Sequence, residues 1–137
     1  MHRKKPILLA EDNRVDVMAV RRALKELKVM NRLDVVGNGE EALKFLRDPK
    51  NERPCMIILD LNMPQMDGIE FLKVAKKDKK LKIIPVVVLT SFKEEREKVR
   101  SLHLGMAGYM LKPVDCEQFV EVMRTIDLYW TLSDSRS

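Results

Sequence analysis

The sequence predicts an α/β fold built on one parallel sheet of five strands, with helices covering both faces. Short apolar runs alternate with longer amphipathic stretches five times along the chain. Strands that are apolar along their whole length are typical of parallel sheets buried on both sides. A length of 137 residues, with 45% hydrophobic and 34% charged residues, fits one globular domain and excludes wholesale disorder.

The first half of the chain contains two predicted β-α units. Residues 7–10 form a short apolar run, and the helical spacing of apolar residues over 17–27 predicts the helix that follows. A second, weaker strand is predicted at 33–36. Asn38 is suited to cap the next helix, because a glutamate stands three residues further on. The polar, proline-containing segment 48–54 is predicted to be a loop.

Three more β-α units follow in the second half of the chain. Apolar runs predict strands at 56–59, 83–89 and 108–111. Helices are predicted over 69–75, over 93–104 and after a cap at Asp115. The charged segment 93–98 is predicted to be mainly an exposed helix face.

Charge and cysteine content narrow the class of protein. The net charge of +5 comes from intermixed signs, and the lysine-rich segment 76–82 has no interleaved aromatic residues, so no nucleic-acid partner is expected. Cys55 and Cys116 are two lone thiols, which fit a reducing cytoplasm. No apolar run approaches the ~20 residues that a membrane-spanning helix needs. We expect a cytoplasmic domain at 1–132, followed by a disordered tail at 133–137.

Polar residues end four of the five predicted strands. The first strand ends in Glu11 and Asp12, and the third ends in Asp60. The fourth strand ends in Thr90 and the fifth in Lys112. In an open parallel sheet, ligands bind outside the carboxyl ends of the strands. We therefore expect three carboxylates, a hydroxyl and an ammonium group to meet at one edge of the sheet.

These groups are suited to bind a cation and to transfer a phosphoryl group. Carboxylates that share a cleft repel one another unless a cation or a proton intervenes, and oxygen-only ligands favour a hard ion such as Mg²⁺. A carboxylate such as Asp60 can attack phosphorus and form an acyl phosphate. Lys112 is suited to neutralise charge on the transferring group, and Thr90 to donate a hydrogen bond to it.

With these residues in place, the chain resembles the receiver domain of a two-component response regulator. The matching residues are Glu11-Asp12, the segments 59–64 (LDLNMP) and 66–68 (MDG), Thr90-Ser91, Tyr109 and Lys112-Pro113. The resemblance extends from about residue 6 to residue 128, and its landmarks stand in the family's order and at its intervals. This combination makes the resemblance specific.

The resemblance implies a flavodoxin-like (βα)5 fold, a doubly wound parallel sheet with strand order 2-1-3-4-5. It implies that Asp60 accepts a phosphoryl group from the phosphohistidine of a histidine kinase. It also implies an Mg²⁺ site, in which Asp12 and Asp60 bind the ion directly. The backbone carbonyl of Asn62 would be a further ligand, and Glu11 would act through metal-bound water.

The resemblance also assigns roles in switching. Lys112 would pair with the phosphoryl group, Thr90 would shift toward it on activation, and Tyr109 would swing between outward and buried rotamers. The helix over 93–104, together with the last strand and helix, would form the output face. Ordinary packing in the sheet is the alternative for Tyr109. Whether the Lys112-Pro113 peptide is cis stays open at this point.

Within the family, the chain resembles the stand-alone regulators that are paired with phytochrome-type histidine kinases. The resemblance rests on the segment 112–115 (KPVD), on Phe119, on the segment 128–130 (LYW) and on the long loop at 48–54. Dimers in that group form through the last helix and C-terminal segment, so Trp130 is a candidate dimer contact. Packing of Trp130 on its own sheet is the alternative, and regulators of other histidine kinases are the near alternative for the subfamily.

Three classes of function are compatible with this site. The first is a phosphorylated signalling switch without an external substrate, either as an output or as a phosphorelay intermediate. The second is an Mg²⁺-dependent phosphatase with an aspartyl nucleophile, but that class favours a second aspartate where this chain has Asn62. The third is a phosphorylation-independent interaction module, which loss of the acidic pair or of Lys112 would favour. Both are present, so the switch is the expected function.

Overall fold

The computed structural model describes the backbone of residues 5–134 and the side chains of residues 5–126. The strands are β1 (Ile7–Ala10), β2 (Leu33–Val36), β3 (Met56–Asp60), β4 (Val86–Thr90) and β5 (Gly108–Leu111). The helices are α1 (Arg14–Glu26), α2 (Gly39–Arg47), α3 (Gly68–Lys77), α4 (Lys93–Ser101) and α5 (Cys116–Asp134). The alternation of strands and helices is the one that the sequence predicts.

The strands form one parallel sheet in the order β2-β1-β3-β4-β5. At its centre Ile58 pairs with Leu9 on one side and with Val87 on the other. The predicted flavodoxin-like, doubly wound topology is therefore confirmed. The chain winds outward in opposite directions from β1 and β3, and this change of direction opens a crevice at the carboxyl ends of the strands.

Apolar layers cover both faces of the sheet. Successive strand residues point to opposite faces, so Ile57 packs in one layer and Ile58 in the other. Phe71 of α3 lies in the first layer, with contributions from α2 and α4. Phe119 of α5 lies in the second layer, with contributions from α1. The central strands are buried throughout, which explains why they are apolar at every position and polar only at their ends.

Side-chain caps define the first turns of α1, α2 and α3, and the predicted cap at Asp115 does so for α5, where its Oδ1 accepts from the Gln118 N–H at 2.9 Å. The Oδ1 atom of Asn13 accepts hydrogen bonds from two backbone N–H groups of α1, at 2.9 and 3.2 Å. The predicted cap at Asn38 is present, since its Oδ1 accepts from the backbone N–H of Glu41 at 2.9 Å. Asp67 and Glu70 form a reciprocal capping box at the start of α3. The caps of α1, α2 and α3 hold the loops that follow the carboxyl ends of β1, β2 and β3.

Two element boundaries differ from the sequence prediction. The apolar run starting at Ile83 predicts a longer strand, whereas β4 begins at Val86. Ile83 is 50% exposed in the turn after α3, and Pro85 has no N–H to donate to the sheet. Helix α4 ends at Ser101 and not at 104, because the φ angle of His103 is 52°, outside the right-handed helical region.

The C-terminal helix is longer than expected. Backbone helix continues to Asp134, so the first two residues of the predicted tail at 133–137 belong to α5. Residues 135–137 lie outside the described part of the chain, where the tail stays a prediction. Among the described residues, no helix has both the length and the apolar character that crossing a membrane requires.

Candidate functional site

The carboxyl ends of the strands bring together the five polar residues that the sequence singles out. Glu11 and Asp12 follow β1, Asp60 and Thr90 are the last residues of β3 and β4, and Lys112 follows β5. Glu11, Asp60 and Thr90 are at most 2% exposed, whereas Asp12 is exposed to solvent. The site is therefore a crevice with a buried floor and one carboxylate at its mouth.

The three carboxylates are close enough to bind one cation. Oxygen atoms of Glu11, Asp12 and Asp60 all lie within 4.8 Å of one another. The pKa of Glu11 is raised to about 7, because burial and, to a smaller extent, Asp60 together outweigh the lowering effect of Lys112 and the Asn13 N–H. Positive charge at this point would favour the ionised form of Glu11. An all-oxygen set with an open side fits Mg²⁺ or a similar hard divalent cation.

The ammonium group of Lys112 places a positive charge within this acidic cluster. Its Nζ atom lies 2.9 Å from Glu11 Oε1, 2.9 Å from Asp16 Oδ2 and 3.4 Å from Asp60 Oδ1. Burial alone would lower the pKa of Lys112, but the hydrogen bonds that it donates to Asp16 and Glu11 hold the pKa above its ordinary value. Lys112 is therefore a permanent positive charge beside Asp60. The peptide bond between Lys112 and Pro113, left open by the sequence, is cis.

Asp16 is a site residue that the sequence reasoning missed. It lies in the first turn of α1, four residues after Asp12, and forms one of the two shortest contacts of Lys112. The available signal was its position, because an acidic residue in the first turn of the helix that follows β1 lies near the carboxyl end of that strand.

The backbone around Asp60 is tightly packed. The N–H of Asn62 donates to Asp60 Oδ1 at 3.2 Å, which orients the carboxylate. Gly68 lies so close that a Cβ atom there would be 2.5 Å from the Asp60 carbonyl oxygen and 2.8 Å from Leu61 Cα. The loop between β3 and α3 therefore folds back onto the end of β3, and only glycine permits this approach.

Thr90 does not have a free hydroxyl in this structure. Its Oγ1 donates a hydrogen bond to Glu95 Oε1, and it accepts one from the backbone N–H of Phe92 at 3.1 Å. The same oxygen of Glu95 accepts from the side-chain amide of Asn62 at 3.0 Å. Glu95 is thus a second site residue that the sequence reasoning missed.

The prediction that 93–98 is mainly an exposed face is correct for four residues, and Glu95 and Arg96 are the exceptions. Glu95 and Arg96 are half-buried, because they point toward the ends of β4 and β5. The guanidinium carbon of Arg96 lies 3.8 Å from the centre of the Tyr109 ring, a cation–π contact. Tyr109 is half-buried and packs against the apolar layer that contains Phe71. Its predicted role as a switch stays a prediction.

Trp130, the candidate dimer contact, has its side chain outside the described residues. Its backbone belongs to α5. Cys55 is buried and Cys116 is half-buried, and the two are not bonded to each other, which agrees with the interpretation that they are two separate thiols and not a disulfide pair.

Comparison with known proteins identifies the family. Residues 7–124 match the family model of the response regulator receiver domain. The chain is 34% identical to the probable methanogenesis regulatory protein FilR2 of Methanothrix harundinacea, over 90% of this chain and 82% of that protein. It is 34% identical to the response regulator Rcp1 of Synechocystis, over 92% of this chain and 88% of Rcp1, which has also been solved in an Mn²⁺-bound form.

A solved structure agrees with this result. The bacteriophytochrome response regulator RtBRR superposes with a TM-score of 0.84 at 38% identity, covering 90% of this chain and 78% of that one. The family match spans all five strands and the whole acidic crevice. The chain therefore belongs to the response regulator receiver domain family.

Proposed function

We propose that this protein is a signalling switch that accepts a phosphoryl group from a histidine kinase on Asp60. The observation that carries the proposal is the position of Asp60: its carboxylate is buried at the end of β3, 3.4 Å from Lys112 and within the acidic cluster. The position of Asn62 two residues later, where an aspartyl phosphatase would favour an aspartate, supports a switch over an enzyme that turns over a substrate.

The chemistry requires little from the chain beyond position and charge. An Asp60 carboxylate oxygen attacks the phosphorus of a phosphohistidine, the P–N bond breaks, and the histidine nitrogen leaves with the electron pair, so that an acyl phosphate forms. Lys112 offsets negative charge on the transferred group, and the Thr90 hydroxyl at the end of β4 would donate a hydrogen bond to it. Asn62 N–H keeps the attacking carboxylate oriented.

The acidic cluster is the proposed Mg²⁺ site. Asp12 and Asp60 would bind the ion directly, the backbone carbonyl of Asn62 would be a further ligand, and Glu11 would act through water. When bound, the ion supplies positive charge that offsets the carboxylates and the incoming phosphoryl oxygens. The clustering of Glu11, Asp12 and Asp60 oxygens and the Mn²⁺-bound form of the relative Rcp1 support this assignment.

Phosphotransfer from autophosphorylated histidine kinases in Mg²⁺ tests the proposal. Wild type should gain label within seconds to minutes from its own kinase, and Asp60→Asn should gain none. Asp34→Asn is a matched control. Asp34 lies on the edge strand β2, and the carboxylate that this variant removes pairs with Arg32. If no kinase and no acetyl phosphate labels the wild type, the phosphoacceptor function is wrong and the interaction-module alternative takes its place.

We further propose a phytochrome-type histidine kinase as the phosphodonor. The similarity to RtBRR, which is named as a bacteriophytochrome response regulator, supports this pairing. FilR2, which is 34% identical to this chain, is named for another regulatory role, so the kinase panel must include both classes. Preferential transfer from a phytochrome kinase would support the pairing, and preference for an unrelated kinase would overturn it.

A homodimer through the last helix and C-terminal segment is proposed from the family resemblance. Light scattering after size-exclusion chromatography tests it directly. A dimer that becomes a monomer in Trp130→Ala would support the proposed contact. A wild-type monomer at all concentrations, with and without phosphorylation, would contradict it.

A further inference from the structure

We propose that Glu95 is an internal competitor for the phosphoryl group, because its carboxylate takes up the side-chain donors of Thr90, at the end of β4, and of Asn62, two residues after Asp60. This inference rests on the proposed phosphorylation of Asp60. It adds a residue of α4 that controls how readily the phosphoryl group is accepted.

The contacts of Glu95 converge on one oxygen atom. Glu95 Oε1 accepts the hydrogen bond of the Thr90 hydroxyl and, at 3.0 Å, that of the Asn62 amide. Thr90 is fully buried at the end of β4, and Asn62 stands two residues after Asp60. Glu95 is therefore held by two donors that follow from two different strands, which would not be the case for a glutamate that only faces solvent.

A hydroxyl has only one proton, and this determines the competition. While Thr90 donates to Glu95, it cannot donate to a phosphoryl oxygen on Asp60. Two anions that share one set of donors also repel each other. Formation of the acyl phosphate therefore exchanges one acceptor for another, and Glu95 has to withdraw.

Withdrawal of Glu95 would reach the neighbouring strand. Arg96 follows Glu95 in the same helical turn and lies over the Tyr109 ring of β5 at 3.8 Å. A movement of this turn would shift the Arg96 guanidinium relative to the Tyr109 ring. The exchange thus connects the phosphorylation site with the α4–β5 surface through two consecutive residues.

The simpler explanation is that Glu95 only stabilises the start of α4. Acidic residues in the first turn of a helix interact favourably with its dipole. Glu94 stands in the same turn, carries the same charge and is exposed. It is therefore a matched control for every effect of charge and helix propensity.

The experiment compares Glu95→Ala with Glu94→Ala. We would measure the rate of labelling by radioactive acetyl phosphate in Mg²⁺, and the affinity for beryllium fluoride, which mimics a phosphoryl group on a carboxylate. Loss of a charged acceptor should raise both by roughly three- to tenfold in Glu95→Ala. Glu94→Ala should leave both unchanged, and Glu95→Gln, which keeps an acceptor without charge, should lie between.

A double variant separates competition from a general loosening of α4. In a Thr90→Ala background there is no hydroxyl to release, and only the Asn62 amide and the charge of Glu95 remain, so Glu95→Ala should give a smaller gain in both measurements. An equal gain with and without Thr90 would overturn the inference. So would equal rates in Glu95→Ala, Glu94→Ala and a wild type that accepts label. A wild type that accepts no label would instead contradict the proposed function, and the inference would fail with it.

Discussion

Lys112 offsets the negative charge of the individual carboxylates in the site. It is 15% exposed and faces three carboxylates from three different elements, at 2.9, 2.9 and 3.4 Å. Without it, Glu11 and Asp60 would be buried next to each other with no positive charge. The same ammonium group therefore has a structural role before any phosphoryl group arrives.

We expect Lys112→Met to destabilise the fold in EDTA. Removing one partner of a buried ion pair leaves uncompensated charge, and because Lys112 keeps some contact with solvent the cost should be about 2–3 kcal/mol. Urea unfolding measures it, with Lys82→Met as a control on an exposed lysine. Equal unfolding free energies for the two variants would show that the cluster is balanced in another way.

At this scale the sequence predicts the residues at strand ends and misses those on helices. Asp60 and Lys112 were predictable because parallel strands all end at one edge. Asp16 and Glu95 reach the same crevice from α1 and α4, and their direction depends on how each helix is rotated about its axis. An isolated helical pattern dominated by charge, as in 93–98, does not determine that rotation.

The loop between β3 and α3 controls the geometry of the site at the scale of elements. The capping box of Asp67 and Glu70 fixes where α3 begins, and Gly68 lets the loop pack on the backbone of Asp60. Gln65, in the same loop, has a φ angle of 64° and accepts a hydrogen bond from Asn38 at 2.7 Å. The loop is thereby tied to both α2 and β3.

Gly68→Ala should separate this loop from the end of β3. The added Cβ would meet backbone atoms at 2.5 and 2.8 Å, so the strain cannot be relieved by a side-chain rotation. We expect a loss of about 1–3 kcal/mol of unfolding free energy and slower labelling of Asp60. Gly37→Ala is the control, since its Cβ would meet only the Glu41 carboxylate, at 3.4 Å. Equal stability of the two variants would contradict the close-packing argument.

Element boundaries were less predictable than element types. The apolar residues at 83–89 do not reveal that the first of them complete a turn, because burial of Ile84 and pairing of Val86 both select apolar side chains. The end of α4 depends on the positive φ angle of His103, and the identity of the residue at that position does not predict this angle. Tertiary packing decides both boundaries.

The whole molecule concentrates negative charge at one edge of an otherwise apolar sheet. Its net charge is +5, yet three carboxylate oxygens from two strand ends lie within 4.8 Å of one another. The presence of this acidic edge followed from the β-α alternation, whereas the sheet order followed from the resemblance to receiver domains. The contacts within the edge followed from neither, because they depend on how the side chains pack.

Divalent cations should stabilise the folded protein through this edge. At an Mg²⁺ concentration about 100-fold above the dissociation constant, the free energy of unfolding should rise by about 2.7 kcal/mol, because only the folded chain assembles the ligands. Thermal unfolding with and without Mg²⁺ measures this. Asp12→Asn should lose most of the gain, whereas Glu121→Gln, which removes an exposed carboxylate of α5, should keep it. A gain that survives in Asp12→Asn would place the cation elsewhere.

Locating the phosphorylated residue is the most direct test of the proposed function. After labelling with acetyl phosphate in Mg²⁺, sodium borohydride reduces an aspartyl phosphate to homoserine, and peptide mass spectrometry locates the reduced residue. We expect reduction of Asp60 alone, with none in unlabelled protein. Reduction at Asp12 or Glu11, or none anywhere in a labelled sample, would contradict it.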